Sequence, residues 1–231
     1  MTTEPIGRYG ASMVRDRTGR DATILRLIAF AGGVAGPIAF AVAVTIGGLV
    51  RPGYSPIHQA ISDLGVGPNG PALDATGVAT GVLLIVFAGA FAQSMRPVFG
   101  AWWLGAVLLG VRGGALVMTA IFTEAPATLP LHVTGSVIGL SSLVLALLVI
   151  GLGLWCAPAW RGWGAFTLAM LVLTALLVAF ENVAFRRGAP VGSAELGGLA
   201  ERALWAVSLT WFVALGWRLS IGSGGRAPTR R

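Results

Sequence analysis

Residues 132–155 read HVTGSVIGLSSLVLALLVIGLGLW, with no Asp, Glu, Lys or Arg in the run. About 20 apolar residues in helical form cross the ~30 Å hydrocarbon core of a bilayer, so this stretch is long enough to span one. Five further runs of the same kind flank it: roughly Ile24–Val50, Ala75–Met95, Ala101–Phe122, Gly164–Phe185 and Leu199–Leu219. Helix breakers separate them. Arg51-Pro52-Gly53 ends the first, Arg96-Pro97 the second and Glu124-Ala125-Pro126 the third. Ala157-Pro158 ends the quoted run, and Gly188-Ala189-Pro190 follows the fifth. The spacing predicts an all-α protein, a polytopic transmembrane helix bundle of six spans within residues 24–220. The first run is too long for a signal peptide and lacks a convincing small-x-small cleavage site, so it reads as a retained span. Residues 1–23 read as a polar, Arg-rich, disordered cytoplasmic tail, and residues 221–231 as a basic cytoplasmic tail.

Composition agrees with the spans. Of 231 residues, 55% are apolar and 11% charged, and the mean hydropathy is +0.81. A soluble domain carries roughly 25% charged side chains, which excludes one aqueous domain. A disordered chain needs low hydrophobicity and is excluded too. The net charge is +7, but the arginines mark the ends of apolar runs and form no dense stripe, so nucleic acid is not expected as a partner. The single cysteine, Cys156, excludes an intrachain disulfide and a cysteine-based zinc site.

Arginine asymmetry sets the expected orientation. With the N-terminus inside, eleven arginines fall on the inner side and four, Arg51, Arg186, Arg187 and Arg202, on the outer side. Six spans then return the C-terminus to the cytoplasm. A multi-pass protein of a bacterial plasma membrane is expected, with membrane lipids as its surroundings. Trp102, Trp103, Trp155, Trp160 and Trp163 read as an aromatic belt at the inner interface. The acids gather differently: Asp63, Asp74, Glu124, Glu181, Glu195 and Glu201 all fall at or near the outer face.

The first outer loop holds the densest polar pattern, Tyr54-Ser55-Pro56-Ile57-His58-Gln59-Ala60-Ile61-Ser62-Asp63-Leu64-Gly65. Ser55 suits an N-cap, Pro56 the first helical position and Gly65 the residue past the end. A short helix over 56–64 is therefore expected, with His58 and Ser62 one turn apart. Glu124 and His132 should lie at the same depth. Two histidines with Asp63 or Glu124 would make a His₂-carboxylate metal site, but no HxxxH or HExxH spacing supports it. No cofactor is expected, and a divalent metal is the weaker alternative.

Arg112 lies near the middle of a 22-residue span. A charge there is costly and marks a functional site whose partner should be named. Glu181 and Glu124 are candidate partners for a charge pair. Binding of an anion, a lipid phosphate or a pyrophosphate, is the alternative. Glu201 and Arg202 open the last span. Glu201 suits the first turn of a helix, and Arg202 needs another group to pair with.

Tyr54-Ser55-Pro56 leading to Ile61-Ser62-Asp63-Leu64-Gly65, His132 at the start of span four, and Gly198-Leu199-Ala200-Glu201-Arg202 before Trp211 together resemble a bacterial integral-membrane family, domain-of-unknown-function family 998. The resemblance covers roughly residues 25–220. It implies six helices with polar motifs on one side, and it carries Ser62, Asp63, His132, Glu201 and Arg202 over as motif positions. It implies no activity.

Three functions compete. The leading expectation is an intramembrane enzyme acting on a lipid or isoprenoid at the outer ends of the helices, with a terpene cyclase as a variant. A carboxyl group in apolar surroundings favours its protonated form and can act as a general acid. Asp63 or Glu124 would supply it, His58 or His132 would act as base or orienter, and Arg112 and Arg202 would hold a phosphate. The alternatives are a non-catalytic accessory or assembly protein and a small transporter. The sequence leaves the oligomeric state open.

Overall fold

A computed structural model describes residues 7–67, 70–186 and 196–222, with side chains described over 19–67, 70–181 and 196–222. The described residues form helices, turns and no strand. The helices are α1 (Gly7–Phe30), α2 (Gly36–Val50), α3 (Gly70–Met95), α4 (Trp102–Ile121), α5 (Leu129–Cys156), α6 (Arg161–Arg186) and α7 (Gly197–Ser220). Six segments are long and apolar enough to cross a membrane, α1 and α2 together making the first.

The first span is continuous because Ala31–Ala35 joins α1 to α2 as a π-helical turn. Its cause is local. Pro37 has no N–H to give to the carbonyl one turn back, and its ring crowds that turn. The wider turn takes up the mismatch, and the Gly36 N–H bonds to the Ala31 carbonyl instead. Within this turn a Cβ on Gly33 would stand 2.6 Å from the Gly216 Cα, so only glycine lets the first span and α7 touch backbone to backbone.

Two expectations fail here. Residues 7–23 are helical, where a disordered tail was expected. No proline interrupts the chain between Gly7 and Phe30, and a helix nucleated in the apolar span propagates outward at little cost. The stretch 56–64 is not an α-helix. It is a hydrogen-bonded turn at Pro56–His58 followed by a 3₁₀ turn at Ser62–Gly65. Residues 223–231 of the C-terminal tail lie outside the described residues.

Helices adjacent in sequence pack side by side, and α7 returns to the first span to close the ring. Both ends of the membrane part meet on one face, where Gly222 lies against the Arg26 guanidinium. On this terminal face Arg218 stacks 4.9 Å over Trp160, and Arg161 lies 6.0 Å from Trp155. Inside, large side chains fill the half nearest this face. Phe87 and Phe91 from α3, Leu109 from α4, Ile150 and Leu154 from α5 and Trp211 from α7 are all essentially buried. The Trp211 indole N–H donates to Thr167 Oγ1 at 3.1 Å, which ties α7 to α6. The other half, beneath the loop 51–67, is not filled.

Candidate functional site

The loop owes its shape to diverted hydrogen bonds. A helix over 56–64 would pair its own backbone groups. Here the Ala60 N–H donates to Asp63 Oδ2 at 3.0 Å, and the Ile61 N–H to Glu201 Oε2 at 2.7 Å. The Arg202 guanidinium donates to the carbonyls of Pro56 at 2.8 Å and Gln59 at 2.9 Å. The Tyr54 hydroxyl donates to the Ala60 carbonyl at 2.6 Å and accepts from Arg202. The first turn of α7 completes the contact, because the Leu199 N–H donates to the Ile57 carbonyl at 3.0 Å. A helix start leaves such donors unpaired, and the loop supplies the acceptor. A Cβ on Gly198 would run into the carbonyl oxygens of Pro56 and Gln59, so α7 seats the loop only with glycine there. Arg51 closes the near end by donating to the Asp63 carbonyl. Burial raises the Tyr54 phenol above its ordinary value of 10.0, and Arg202 at its oxygen works the other way. The phenol stays neutral and free to donate.

Beneath the loop lies a cavity of about 250 Å³ to which every span contributes. Its wall is mainly apolar, with Phe40, Leu73, Leu116, Leu140 and Leu204 among its side chains. Polar groups sit at two depths. Near the loop face are Ser62, Asp74, His132, Glu181 and Glu201. Deeper, Arg112 stacks 4.7 Å over the Trp205 ring, which packs 4.8 Å from Phe40. Arg112 is 9% exposed and its Nε has no hydrogen-bond partner. A Cβ on Gly139 would come within 2.8 Å of Arg112 Nη1, so the absent side chain makes room for the guanidinium.

The His132 ring is held by the end of α4. Its Nδ1 lies 2.8 Å from the Phe122 carbonyl and 3.0 Å from the Thr119 carbonyl. Carbonyls only accept, so Nδ1 carries a proton. In the neutral ring Nε2 is then the acceptor, and it stands 3.7 Å from Glu124 Oε1.

The sequence-derived candidates divide between loop and cavity. Ser62, Arg112, His132, Glu181 and Glu201 line the cavity, and Glu124 stands against His132. Tyr54, Ser55, Asp63 and Arg202 hold the loop together, the Ser55 N–H donating to Gln59 Oε1 at 2.8 Å. Pro56 and His58 are exposed on it. The bridge expected between Arg112 and Glu181 is not formed among the described residues, although both face the same space. Nor does any group of three or more His, Cys, Asp or Glu among the described residues suit a metal ion. The two histidines do not share the cavity, since His132 lines it and His58 is exposed on the loop. Glu195 lies outside the described residues.

Asp74, Trp205 and Ser136 belong to the site and were missed by sequence reasoning. Asp74 was visible as one of the outer-face acids, but no motif singled it out. Trp205 reads from sequence as one more membrane tryptophan.

The sequence model of the family described as "Protein of unknown function (DUF998)" matches residues 34–218. The match takes in most of the chain, which therefore belongs to this family. No curated protein and no solved structure matches it.

Proposed function

We propose that the protein is a membrane-embedded enzyme that acts on a lipid or isoprenoid by acid–base chemistry at the loop end of its bundle. One observation carries this reading: a mainly apolar cavity holds Arg112, Asp74 and Glu181, which make no hydrogen bond or ion pair among the described residues. A cavity with a few convergent polar groups is the usual form of a small-molecule site. It also reaches the lipid-facing surface, because Val137 on α5 both lines it and is 59% exposed. His132 suits proton transfer. Its Nδ1–H is fixed by α4, which leaves Nε2 to take a proton, and Glu124 beside it can relay that proton. Arg112 would offset negative charge on the substrate. By the arginine asymmetry the loop face is the outer face of a bacterial plasma membrane.

The test is lipid mass spectrometry over time, with purified protein in vesicles of bacterial lipid extract, for wild type and His132→Asn. The asparagine amide can reach the carbonyls that Nδ1 serves, yet it supplies no Nε2. Wild type should consume one species and form another, and the variant should do neither while remaining folded. No change with wild type would sink the enzyme reading. The loop clamp would then favour a non-catalytic accessory protein, since Tyr54, Asp63 and Arg202 hold backbone in place. A lipid retained but unaltered would favour a small transporter or carrier.

A further inference from the structure

Three ionisable groups face the cavity with no hydrogen bond or ion pair among the described residues, although Asp74 lies within the field of the His132 ring. Arg112 is 91% buried, yet makes no hydrogen bond or ion pair among the described residues, only the stacking on Trp205. Asp74 and Glu181 line the same space and likewise carry no hydrogen bond or ion pair among the described residues. A buried charge without partners is costly. An anionic ligand would settle Arg112 but meet two carboxylates. A cationic ligand would settle the carboxylates and leave Arg112 alone. A ligand with both charges satisfies all three.

The order of the charges along the bundle narrows the choice. On α5, Gly139, which adjoins the Arg112 guanidinium, lies seven residues below His132, about 10 Å at 1.5 Å per residue. On α7, Trp205 lies four residues, about 6 Å, below Glu201. Asp74, in the second turn of α3, and His132 and Glu201, at the starts of their helices, form the mouth. The complementary ligand therefore puts its cation toward the loop face and its anion deeper. Near the depth of Arg112, Val137 on α5 lines the cavity and is also 59% exposed on the bilayer side of the bundle. The sequence of groups is ammonium, then phosphate, then hydrocarbon.

We infer that the cavity binds the headgroup of an aminophospholipid, with its phosphate on Arg112, its ammonium at Asp74 and Glu181, and its acyl chains leaving past Val137. At about 250 Å³ the cavity takes a headgroup and leaves the chains outside. This rests on the lipid reading above and names the substrate class for the same site.

The test is native mass spectrometry of wild-type protein equilibrated in detergent with an equimolar mixture of dioleoyl phosphatidylethanolamine, phosphatidylglycerol, phosphatidylcholine and the neutral isoprenoid farnesol. Phosphatidylethanolamine should be retained over each of the others by about tenfold, the factor that 1.4 kcal/mol gives. The double variant Asp74→Asn, Glu181→Gln should lose the preference over phosphatidylglycerol. Arg112→Leu should lose phospholipid retention. The wild-type preference decides the matter if a variant fails to fold. Equal retention of either competitor lipid overturns the inference. Free phosphoethanolamine binding as tightly as the lipid overturns the bilayer source. A neutral isoprenoid retained in place of any phospholipid overturns this inference and leaves the enzyme reading standing. No amphiphile retained from any mixture overturns both.

Discussion

The Arg202 guanidinium stands 5.4 Å from the centre of the Tyr54 ring and donates to its hydroxyl, tying together residues 148 positions apart. It also donates to three backbone carbonyls, those of Pro56, Gln59 and Gly198. A hydrogen bond from a charged donor contributes about 1.5–3 kcal/mol, and a neutral one about 1 kcal/mol. Arg202→Ala is expected to lower stability by roughly 3 kcal/mol and Tyr54→Phe by about 1 kcal/mol. The double variant should lose less than the sum, because the two share one network. Arg202→Lys should resemble Arg202→Ala, since an ammonium lacks the planar fork. Unfolding scans in detergent measure this, and a wild-type melting temperature for Arg202→Ala would contradict it.

Alkali should act on the same clamp. The Tyr54 phenol is raised above its ordinary value by burial. A raised folded-state value means a contribution fully present below the unfolded value of 10.0 and lost as pH climbs through the folded one. Stability should therefore hold through neutral pH and fall more steeply above about pH 10 in wild type than in Tyr54→Phe. Parallel pH curves for the two proteins would remove Tyr54 from the account.

Two glycine substitutions separate close approach from helix propensity. Gly198→Ala puts a methyl 2.8 Å from the Pro56 carbonyl oxygen and still nearer that of Gln59. Both are backbone atoms held by other bonds, so an overpacking loss of about 1–3 kcal/mol is expected. Gly89→Ala on α3 meets open space and should gain up to about 1 kcal/mol. Equal melting temperatures for the two variants would show that the loop is not seated as described.

Replacing Glu201 should show which of its functions stabilises the fold. Glu201→Gln keeps an acceptor for the Ile61 N–H, whereas Glu201→Ala leaves that donor unpaired at a loss of about 1–3 kcal/mol. Gln should therefore be the milder change in an unfolding scan. If Ala were the milder, the bond from Ile61 would not be what holds the loop to α7.

Arg112 should behave as a group held for ligand rather than for stability. Replacing even a buried ion pair by apolar side chains is often neutral or stabilising by about 1–4 kcal/mol, and a buried charge with no counterion has less to lose. Ligand-free Arg112→Leu is therefore expected to melt no lower than wild type, despite losing the stacking on Trp205. The charge swap Arg112→Glu with Glu181→Arg should not restore an Arg112→Glu defect, because no bridge joins the two residues among the described ones. Recovery of the wild-type melting temperature by the swap would re-establish the bridge.

The spans were readable because a bilayer imposes one requirement, about 20 apolar residues in a row, and this chain meets it six times. The motif segments were readable as important, but their division was not. Ser62 faces the cavity while Asp63 caps the loop, and Glu201 lines the wall while Arg202 grips Tyr54. Adjacent residues take different roles, and only tertiary structure decides which one faces the cavity. The loop helix failed for a related reason. Ser55, Pro56 and Gly65 are good local signals, but Glu201 and Arg202 take backbone groups that the helix would have paired. Asp74 sits in an apolar run with no motif around it, so its place beside His132 depends on how α3 packs.

The backbone contact between Gly33 and Gly216 has a consequence for biosynthesis. The first span can pack on α3 early, but its α7-facing side finds its neighbour only about 180 residues later. At roughly 5–20 residues per second that wait is about 10–40 s. Over that interval the α7-facing side of the first span needs lipid, or an insertion factor, as its companion. A truncated or stalled chain would lack α7, and with it Trp205, Glu201 and one wall of the cavity. The site is thus assembled last, by the same helix that completes the bundle.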